Sequence, residues 1–324
     1  MNNYPSYSVA IRTLGTAGEK YQETLNSIAR QSIAPQKVFV YIPNGYKLPT
    51  ETIGIEEYIR CDKGMVTQRS LPFNEITSEY ILFLDDDLSF QNDFVKKLFD
   101  GLLSYSGDCI SPNIYPHHQE KFINKVRDFF GGTRPHFRKD WAFLIRKDNH
   151  YSYNYKPQKD VLLTQSGAGA CCLCKKKAFQ AIHFEDEKWL EETGYAFGDD
   201  QVFFYKFYVY GFKVLTSFNA KVTHLDAGAS TSGGNQMQYK ASFCDYITWK
   251  RTVYQLQKSK FQHFNCVISL ICANIISLPL YLLIAIKYRS INIFTEKIRG
   301  ILDAEKFLKS EAYTKYPSFT EHLK

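Results

Sequence analysis

The sequence has few of the features that mark specialised classes of protein. Its 324 residues contain no internal repeat and no low-complexity segment, which excludes a repeat array. Charged residues make up 23% against 44% hydrophobic residues, a balance that excludes a disordered chain. Residues 1–8 are polar, so we expect no secretory signal and reduced thiols. No Cys/His pair at zinc-finger spacing follows Cys171, Cys172 and Cys174, which we interpret as a buried strand.

A chain of this length can bury a full core, as one large domain with an appendage or as two domains. The net charge of +7 is unevenly distributed, with basic residues concentrated between positions 115 and 150. These residues are Lys121, Lys125, Arg127, Arg134, Arg138, Lys139, Arg146 and Lys147. Such a stretch can contact phosphates, anionic lipid headgroups or nucleic acid, or it can be a solvated surface. We expect no nucleic-acid partner.

Strand-like and helix-like patterns alternate in the first third of the chain. Strands are predicted at 7–11, 37–42, 55–60 and 80–84, and helices at 19–31, 65–79 and 93–103. A strand pair is predicted within 162–174. This alternation predicts an α/β fold with a parallel sheet flanked by helices. Ligands in such sheets bind at the carboxyl ends of the strands.

The tail differs from the rest of the chain. Residues 264–286 contain no formal charge, and basic residues flank them on both sides. A bilayer span needs about 20 apolar residues. We favour a helix pair, bent near Pro279, that lies in one leaflet; a transmembrane span and a soluble hairpin are the alternatives. We therefore divide the chain into a catalytic domain, 1–245, and a helical, membrane-associated region, 246–324.

Three consecutive carboxylates follow the apolar run at 80–84. Asp85, Asp86 and Asp87 repel one another unless a cation neutralises them. Oxygen ligands suit a divalent ion such as Mg or Mn, and alternate strand residues point the same way, so Asp85 and Asp87 can act together. The alternative is a solvated acidic turn.

A second acidic site opens a predicted helix at Asp199 and Asp200. Both residues are good helix caps, but a carboxylate near an acceptor hydroxyl can also serve as general base. His224 follows at the end of a short predicted strand. It is either an ordinary polar residue or a nitrogen ligand to the same metal.

Four motifs in order resemble the family 2 inverting glycosyltransferases of the bacterial polysaccharide type, which have the GT-A fold. The motifs are VAIRT at 9–13 with LNSIARQS at 25–32, KGMVTQRS at 63–70, EYILFLDDD at 79–87, and GDD at 198–200 leading to YGF at 210–212 and His224. The resemblance covers about residues 7–226. One departure is the second strand, which ends in Asn44 where the family usually has an acidic pair.

The resemblance implies a role for each matching residue. It assigns the sugar donor to Arg69 and Asp85, the metal to Asp87 and His224, and catalysis to Asp200, the base, with Asp199 beside it. We add Thr13, Asn44 and Asp86 as further candidate donor-binding residues. In this assignment Asp85 contacts the nucleotide and Arg69 faces its diphosphate.

The expected reaction is a metal-assisted single displacement from a nucleotide-diphosphate sugar to a glycan or lipid-linked acceptor, at the cytoplasmic face of a membrane. One alternative is a sugar-nucleotide nucleotidyltransferase. Such an enzyme normally has a Gly-rich phosphate-binding loop after its first strand, and residues 15–20 resemble that loop only weakly. The other is a non-catalytic membrane-associated scaffold.

Overall fold

The computed structural model describes residues 4–114, 122–136, 138–226, 235–287 and 289–323. Its strands are β1 (Tyr7–Arg12), β2 (Val38–Pro43), β3 (Glu56–Cys61), β4 (Tyr80–Asp85), β5 (Leu88–Phe90), β6 (Cys109–Pro112), β7 (Arg134–Pro135), β8 (Phe143–Ile145), β9 (Tyr151–Tyr153), β10 (Val161–Leu163), β11 (Cys171–Lys175), β12 (Val214–Ser217) and β13 (Val222–His224). Its helices are α1 (Glu19–Ala29), α2 (Met65–Arg69), α3 (Phe94–Ser104), α4 (Phe122–Phe130), α5 (Lys176–Ala181), α6 (Asp199–Val209), α7 (Asn235–Thr248), α8 (Lys260–Lys287), α9 (Asn292–Phe307) and α10 (Glu311–Thr314). A 3₁₀ segment at Phe184–Glu191 and a π segment at Trp249–Tyr254 complete the set.

The core is an eight-stranded sheet in the order β10-β12-β6-β11-β4-β1-β2-β3. Strand β1 is parallel to both β2 and β4, whereas β11 runs antiparallel to β4 and β6. Strands β1, β2 and β4 are buried along nearly their whole length because helices cover both faces. Val9 and Ile11 pack with α1 and α3 on one face, and Ala10 packs with α6 on the other. The predicted mostly parallel α/β fold is confirmed.

A two-stranded ribbon beside this sheet brings distant residues together. Strands β5 and β13 pair antiparallel, with His224 opposite Leu88. The Leu225 amide donates to the carbonyl of Asp87 over 2.8 Å. The ribbon therefore carries His224 to the end of β4, where the three carboxylates lie.

An insert follows β6 and contains the small sheet β7-β9-β8. Its turn is tied to the start of α6, because Gln201 Nε2 donates to both oxygens of Asn149 over 2.9 Å. Trp249 Nε1 also donates to the Lys147 carbonyl over 2.9 Å. Residues 115–121, including the predicted basic Lys121, and the side chain of Arg127 lie outside the described part of the chain.

The segment after α7 packs against the main body of the chain, which is built on the eight-stranded sheet and α6. Glu187 is fully buried and binds two cations, Lys206 Nζ at 2.7 Å and Arg251 Nε at 2.8 Å. Tyr313 and Phe319 belong to the same core cluster as α6. Helix α7 crosses the predicted division between residues 245 and 246, and that division stays a prediction.

Three local predictions differ from the structure. The helix predicted at 65–79 ends at Arg69, since the residue before Pro72 is disfavoured in helical conformation. The strands within 162–174 share the sheet, but β12 and β6 separate β10 from β11. The apolar run forms one helix, α8, through Pro279, because the missing proline N–H removes a single backbone bond of a 28-residue helix.

Candidate active site

A cleft of about 630 Å³ opens at the carboxyl ends of β1 and β4. It brings together eight predicted site residues: Thr13, Arg69, Asp85, Asp86, Asp87, Asp199, Asp200 and His224. Asn44 is not among the lining residues; it is exposed in the turn after β2, where its amide donates to the Cys61 carbonyl over 2.9 Å. Tyr195 and Phe197, which we did not predict, also line the cleft.

The strand-end cluster consists of three consecutive carboxylates, Asp85, Asp86 and Asp87, at the end of β4. Asp85 forms an ion pair with Arg12, its register partner on β1. Thr13 Oγ1 donates to Asp86 Oδ2 over 2.5 Å. Burial raises the pKa of Asp86 to about 6, against the Thr13 hydrogen bond, and the neighbouring carboxylates add to this rise.

Asp87 and His224 form the part of the cleft that fits a metal. His224 Nε2 lies 3.3 Å from Asp87 Oδ1, and both residues line the cleft. A carboxylate oxygen and an imidazole nitrogen are suitable ligands for Mn, and the carboxylate also suits Mg. Among the described residues no three His, Cys, Asp or Glu side chains converge on one point, so the pair alone does not enclose a cation. Substrate and water oxygens would complete the coordination of any bound ion.

The helix-start pair, Asp199 and Asp200, shares one cation. Arg69 Nη1 lies 2.7 Å from Asp199 Oδ2 and 2.7 Å from Asp200 Oδ1. The Asp199 side chain is 8% exposed and that of Asp200 is 39% exposed, so Asp200 is the member open to a substrate. We expected Arg69 to face a diphosphate, but the structure places its guanidinium, 6% exposed, against these carboxylates.

Burial and a second carboxylate shift the protonation of the pair. Burial raises the pKa of Asp199 to about 7, and Asp200 adds to the rise, because the single guanidinium of Arg69 is shared and does not compensate. Burial alone would lower the pKa of Arg69, but Asp199, Asp200 and Asp85 together raise it. Arg69 therefore stays charged while Asp199 binds its proton more tightly than an ordinary aspartate.

Gly169 is a site residue that the sequence analysis missed. Its carbonyl accepts from Arg69 Nη2 at 3.2 Å and from Arg12 Nη2 at 3.5 Å, so it links the two acidic groups. A Cβ at this position would lie 1.7 Å from Asp200 Oδ1 and 2.4 Å from Arg69 Nη2. Only glycine permits this close approach. The signal was the pair Gly167 and Gly169 just before β11.

Glu191 is the second missed residue. It accepts from the Val66 amide at 2.6 Å, the Thr67 amide at 2.9 Å and Thr67 Oγ1 at 2.8 Å. A carboxylate at a helix start satisfies unpaired N–H groups and the helix dipole. Glu191 thereby fixes α2, the helix that ends in Arg69. No local pattern signals this contact, because more than 100 residues separate its partners.

The family described as Glycosyl transferase family 2 matches residues 22–182. The match includes Arg69 and the strand-end cluster. Over these residues the chain is similar to this family. The helix-start pair and His224 lie beyond the matched residues, so the match does not assign them.

Two solved glycosyltransferases are similar to the chain. Mannosyltransferase PcManGT from Pyrobaculum calidifontis, in complex with GDP-Man and Mn²⁺, has 13% sequence identity and a TM-score of 0.50, over 99% of this chain and 85% of that chain. GalNAc-T7 with UDP, GalNAc and Mn²⁺ has 11% identity and a TM-score of 0.47, over 78% of this chain and 51% of that one, so this chain spans about half its length. No curated protein matches the chain. The expected GT-A fold is confirmed.

Proposed function

We propose that this glycosyltransferase moves a sugar from a nucleotide-diphosphate sugar to an acceptor hydroxyl by a single, inverting displacement. The observation that carries the proposal is the convergence of two acidic groups in one cleft. The strand-end cluster lies at one side with Asp87 beside His224, and the partly exposed Asp200 lies at the other. A cation-binding group and a general base within one cleft are what a direct displacement requires.

Asp87 and His224 are the residues that would hold a divalent cation, Mg or Mn. When bound, such an ion neutralises negative charge on the leaving diphosphate. Asp85 and Asp86 would orient the donor. Arg12 and Thr13 hold these two carboxylates in place through the ion pair and the hydrogen bond described above.

In this proposal Asp200 accepts the proton of the acceptor hydroxyl as that oxygen attacks the anomeric carbon. Arg69 positions the Asp200 carboxylate through the 2.7 Å contact and Gly169 leaves room for it. Asp199, the more buried member of the pair, contacts the same Nη1 of Arg69 and fixes the guanidinium. Each of these residues orients the base without touching the sugar.

The acceptor would bind beside Tyr195 and Phe197. Their rings, 4.6 Å apart between centroids, line the cleft directly before the helix-start pair. Aromatic side chains offer broad apolar surfaces, as sugar-binding pockets need. We further propose a glycan or lipid-linked acceptor of bacterial polysaccharide synthesis at the cytoplasmic face of a membrane. The apolar helix α8 and its basic flanks support this location.

The test has two stages. The first measures thermal stabilisation of the full chain by UDP and GDP with and without Mn²⁺ or Mg²⁺, because a ligand that binds only the folded state raises Tm. The second supplies the matching nucleotide sugar and determines the anomeric configuration of the product by NMR. Retention of configuration would contradict the single displacement. Pyrophosphate release from a nucleoside triphosphate would instead support the nucleotidyltransferase alternative.

A further inference from the structure

Helix α8 presents a long apolar face to solvent. Its 28 residues have a mean hydropathy of 2.3 in the most apolar window, and only 6% of that window is buried. By length and composition alone the helix could cross a membrane. Exposed large side chains recur at helical spacing along it: Phe261, Phe264, Ile268, Ile271, Ile275, Leu278, Leu282 and Ile286. We call this stripe the apolar face.

The next helix returns along α8 to the main body of the chain. Near the far end of α8, Tyr281 packs against Phe294 at 6.2 Å between ring centroids, and Lys297 Nζ lies 4.1 Å from the Tyr281 ring centroid. Further along α9, Glu305 accepts from Tyr246 of α7 at 2.8 Å. The chain after α8 is therefore bound to the same body as the chain before it.

This geometry is incompatible with α8 crossing a bilayer. Tyr281 lies about 9 Å before the end of α8. In a spanning orientation α9, which contacts Tyr281 near its start and Tyr246 of α7 near its end, would have to recross the hydrocarbon layer, which is about 30 Å thick. Its charged residues, Lys297 among them, would then lie within that layer. At the other end Cys266 is buried against Trp249 and Val253 of the π segment, and Trp249 in turn donates to the Lys147 carbonyl of the insert. Both ends of α8 are thus held on the same side of a bilayer as the rest of the chain.

The shape and charge of the surroundings select a lipid surface as the partner. Ile298 and Leu302 of α9, and Ile291 just before α9, are also exposed, so the apolar face is two helices wide at its end. The apolar stripe through which one helix packs against another is narrower than this face, so a single partner helix would not cover it. Cations stand at both ends of α8: Lys258 and Lys260 at its start, and Lys287 and Arg289 at its end. Cations beside an apolar surface fit anionic headgroups above acyl chains.

We propose that α8 and α9 insert the apolar face into one leaflet of an anionic membrane, in the plane of the surface, with both ends of α8 on the side of the main body of the chain. This inference does not depend on the chemistry of the cleft. It also differs from a span in a way that experiment can measure.

The first test is flotation of the full chain with vesicles of equal parts phosphatidylcholine and phosphatidylglycerol. Ile275→Asp with Leu282→Asp introduces charge into the apolar face, and binding should fall about tenfold or more. Leu48→Asp is the matched control, because Leu48 is 47% exposed outside the face, and it should float like the wild type. Undiminished binding of the double variant would overturn the proposal. The proposal would also be overturned if the wild type is a dimer that does not bind the vesicles and the double variant is a monomer, because the apolar face would then be a contact between two copies of the chain.

The second test measures sidedness. Cys272 is exposed and the other cysteines are buried, so Cys272→Ser removes the accessible thiol. In that background Ser259→Cys and Asn292→Cys place one thiol before α8 and one after it. With protein added to sealed vesicles, a membrane-impermeant maleimide should label both completely. Protection of one thiol and labelling of the other would mean that α8 spans, and would overturn the in-plane arrangement.

Discussion

The two acidic groups of the cleft are balanced in opposite ways. The strand-end cluster holds three carboxylates, of which one pairs with a guanidinium and one lies beside the imidazole of His224. The helix-start pair holds two carboxylates around one buried guanidinium. The first group places carboxylates beside an imidazole, the side chains that we propose hold a cation. The second leaves one carboxylate partly exposed and positioned, as a base requires.

The comparison teaches that adjacent aspartates acquire different roles from their partners. Arg12 of the first group and Arg69 of the second both donate to the carbonyl of Gly169, so the two groups share one backbone oxygen. Substitutions that change one group while leaving the other intact can therefore separate their roles.

Asp200→Asn should lower kcat by about 10²–10⁴-fold, the range for removal of a general base. Asparagine keeps the size of the side chain and its capping ability but cannot accept the proton. Donor and metal binding should persist, because the strand-end cluster is unchanged. Asp199→Asn is the matched control and should cost less, since Asp199 is buried behind Asp200. A greater loss in Asp199→Asn would reverse the assignment within the pair.

Gly169→Ala should lower kcat by about 10²-fold, because the new Cβ must displace the Asp200 carboxylate that would lie 1.7 Å away. Steady-state kinetics with saturating donor measures the effect. Metal-dependent nucleotide binding by calorimetry is the control and should remain. If kcat is unchanged, the position of Asp200 does not matter to the reaction.

Asp87→Ala should remove the dependence of nucleotide binding on Mn²⁺ or Mg²⁺, with a loss of affinity of about 10–100-fold or more. The fold should survive, because deleting one carboxylate relieves repulsion in the strand-end cluster. Thermal shift with nucleoside diphosphate, with and without metal, is the readout. Metal dependence equal to that of the wild type would exclude Asp87 as a ligand.

Glu191→Ala should cost about 1 kcal/mol of unfolding free energy through the lost helix cap, and should lower kcat about tenfold as Arg69 loses its support. Denaturant unfolding and kinetics measure the two effects. The exposed neighbour Glu192 supplies the control, and Glu192→Ala should change neither quantity. Equal behaviour of the two variants would show that α2 does not need this cap.

The smallest effect concerns pH and the buried member of the pair. The folded-state pKa of Asp199, about 7, lies above the ordinary value of an unfolded chain, so the wild type loses stability as pH rises from about 4 through about 7. Asp199→Asn lacks this pH-dependent loss of stability. The Tm of the variant minus the Tm of the wild type should therefore be larger at pH 8 than at pH 5, by about 2 °C or more. A Tm difference that is the same at pH 5 and pH 8 would mean that Asp199 is ionised throughout this range.

The sequence predicted the parts of this molecule that depend on local pattern. Apolar runs such as residues 80–84 identify buried parallel strands, and carboxylates at their ends mark the cleft. It did not predict the contacts of Gly169 and Glu191, because these depend on how distant segments pack. Arg69 illustrates the limit: the motif brought it into the cleft, but only the tertiary structure placed it against the helix-start pair.

The burial of Glu187 between Lys206 and Arg251 has a consequence for how the protein is made. Lys206 belongs to α6, the helix that begins with the helix-start pair, whereas Arg251 and the core residues Tyr313 and Phe319 are synthesised much later. A buried carboxylate that lacks one of its cations costs about 3–5 kcal/mol. During translation α6 is therefore not fully stabilised until the segment that contains Tyr313 and Phe319 has left the ribosome and packed against it. Since α8 emerges before that segment, the order of synthesis exposes the apolar face before the cleft is complete.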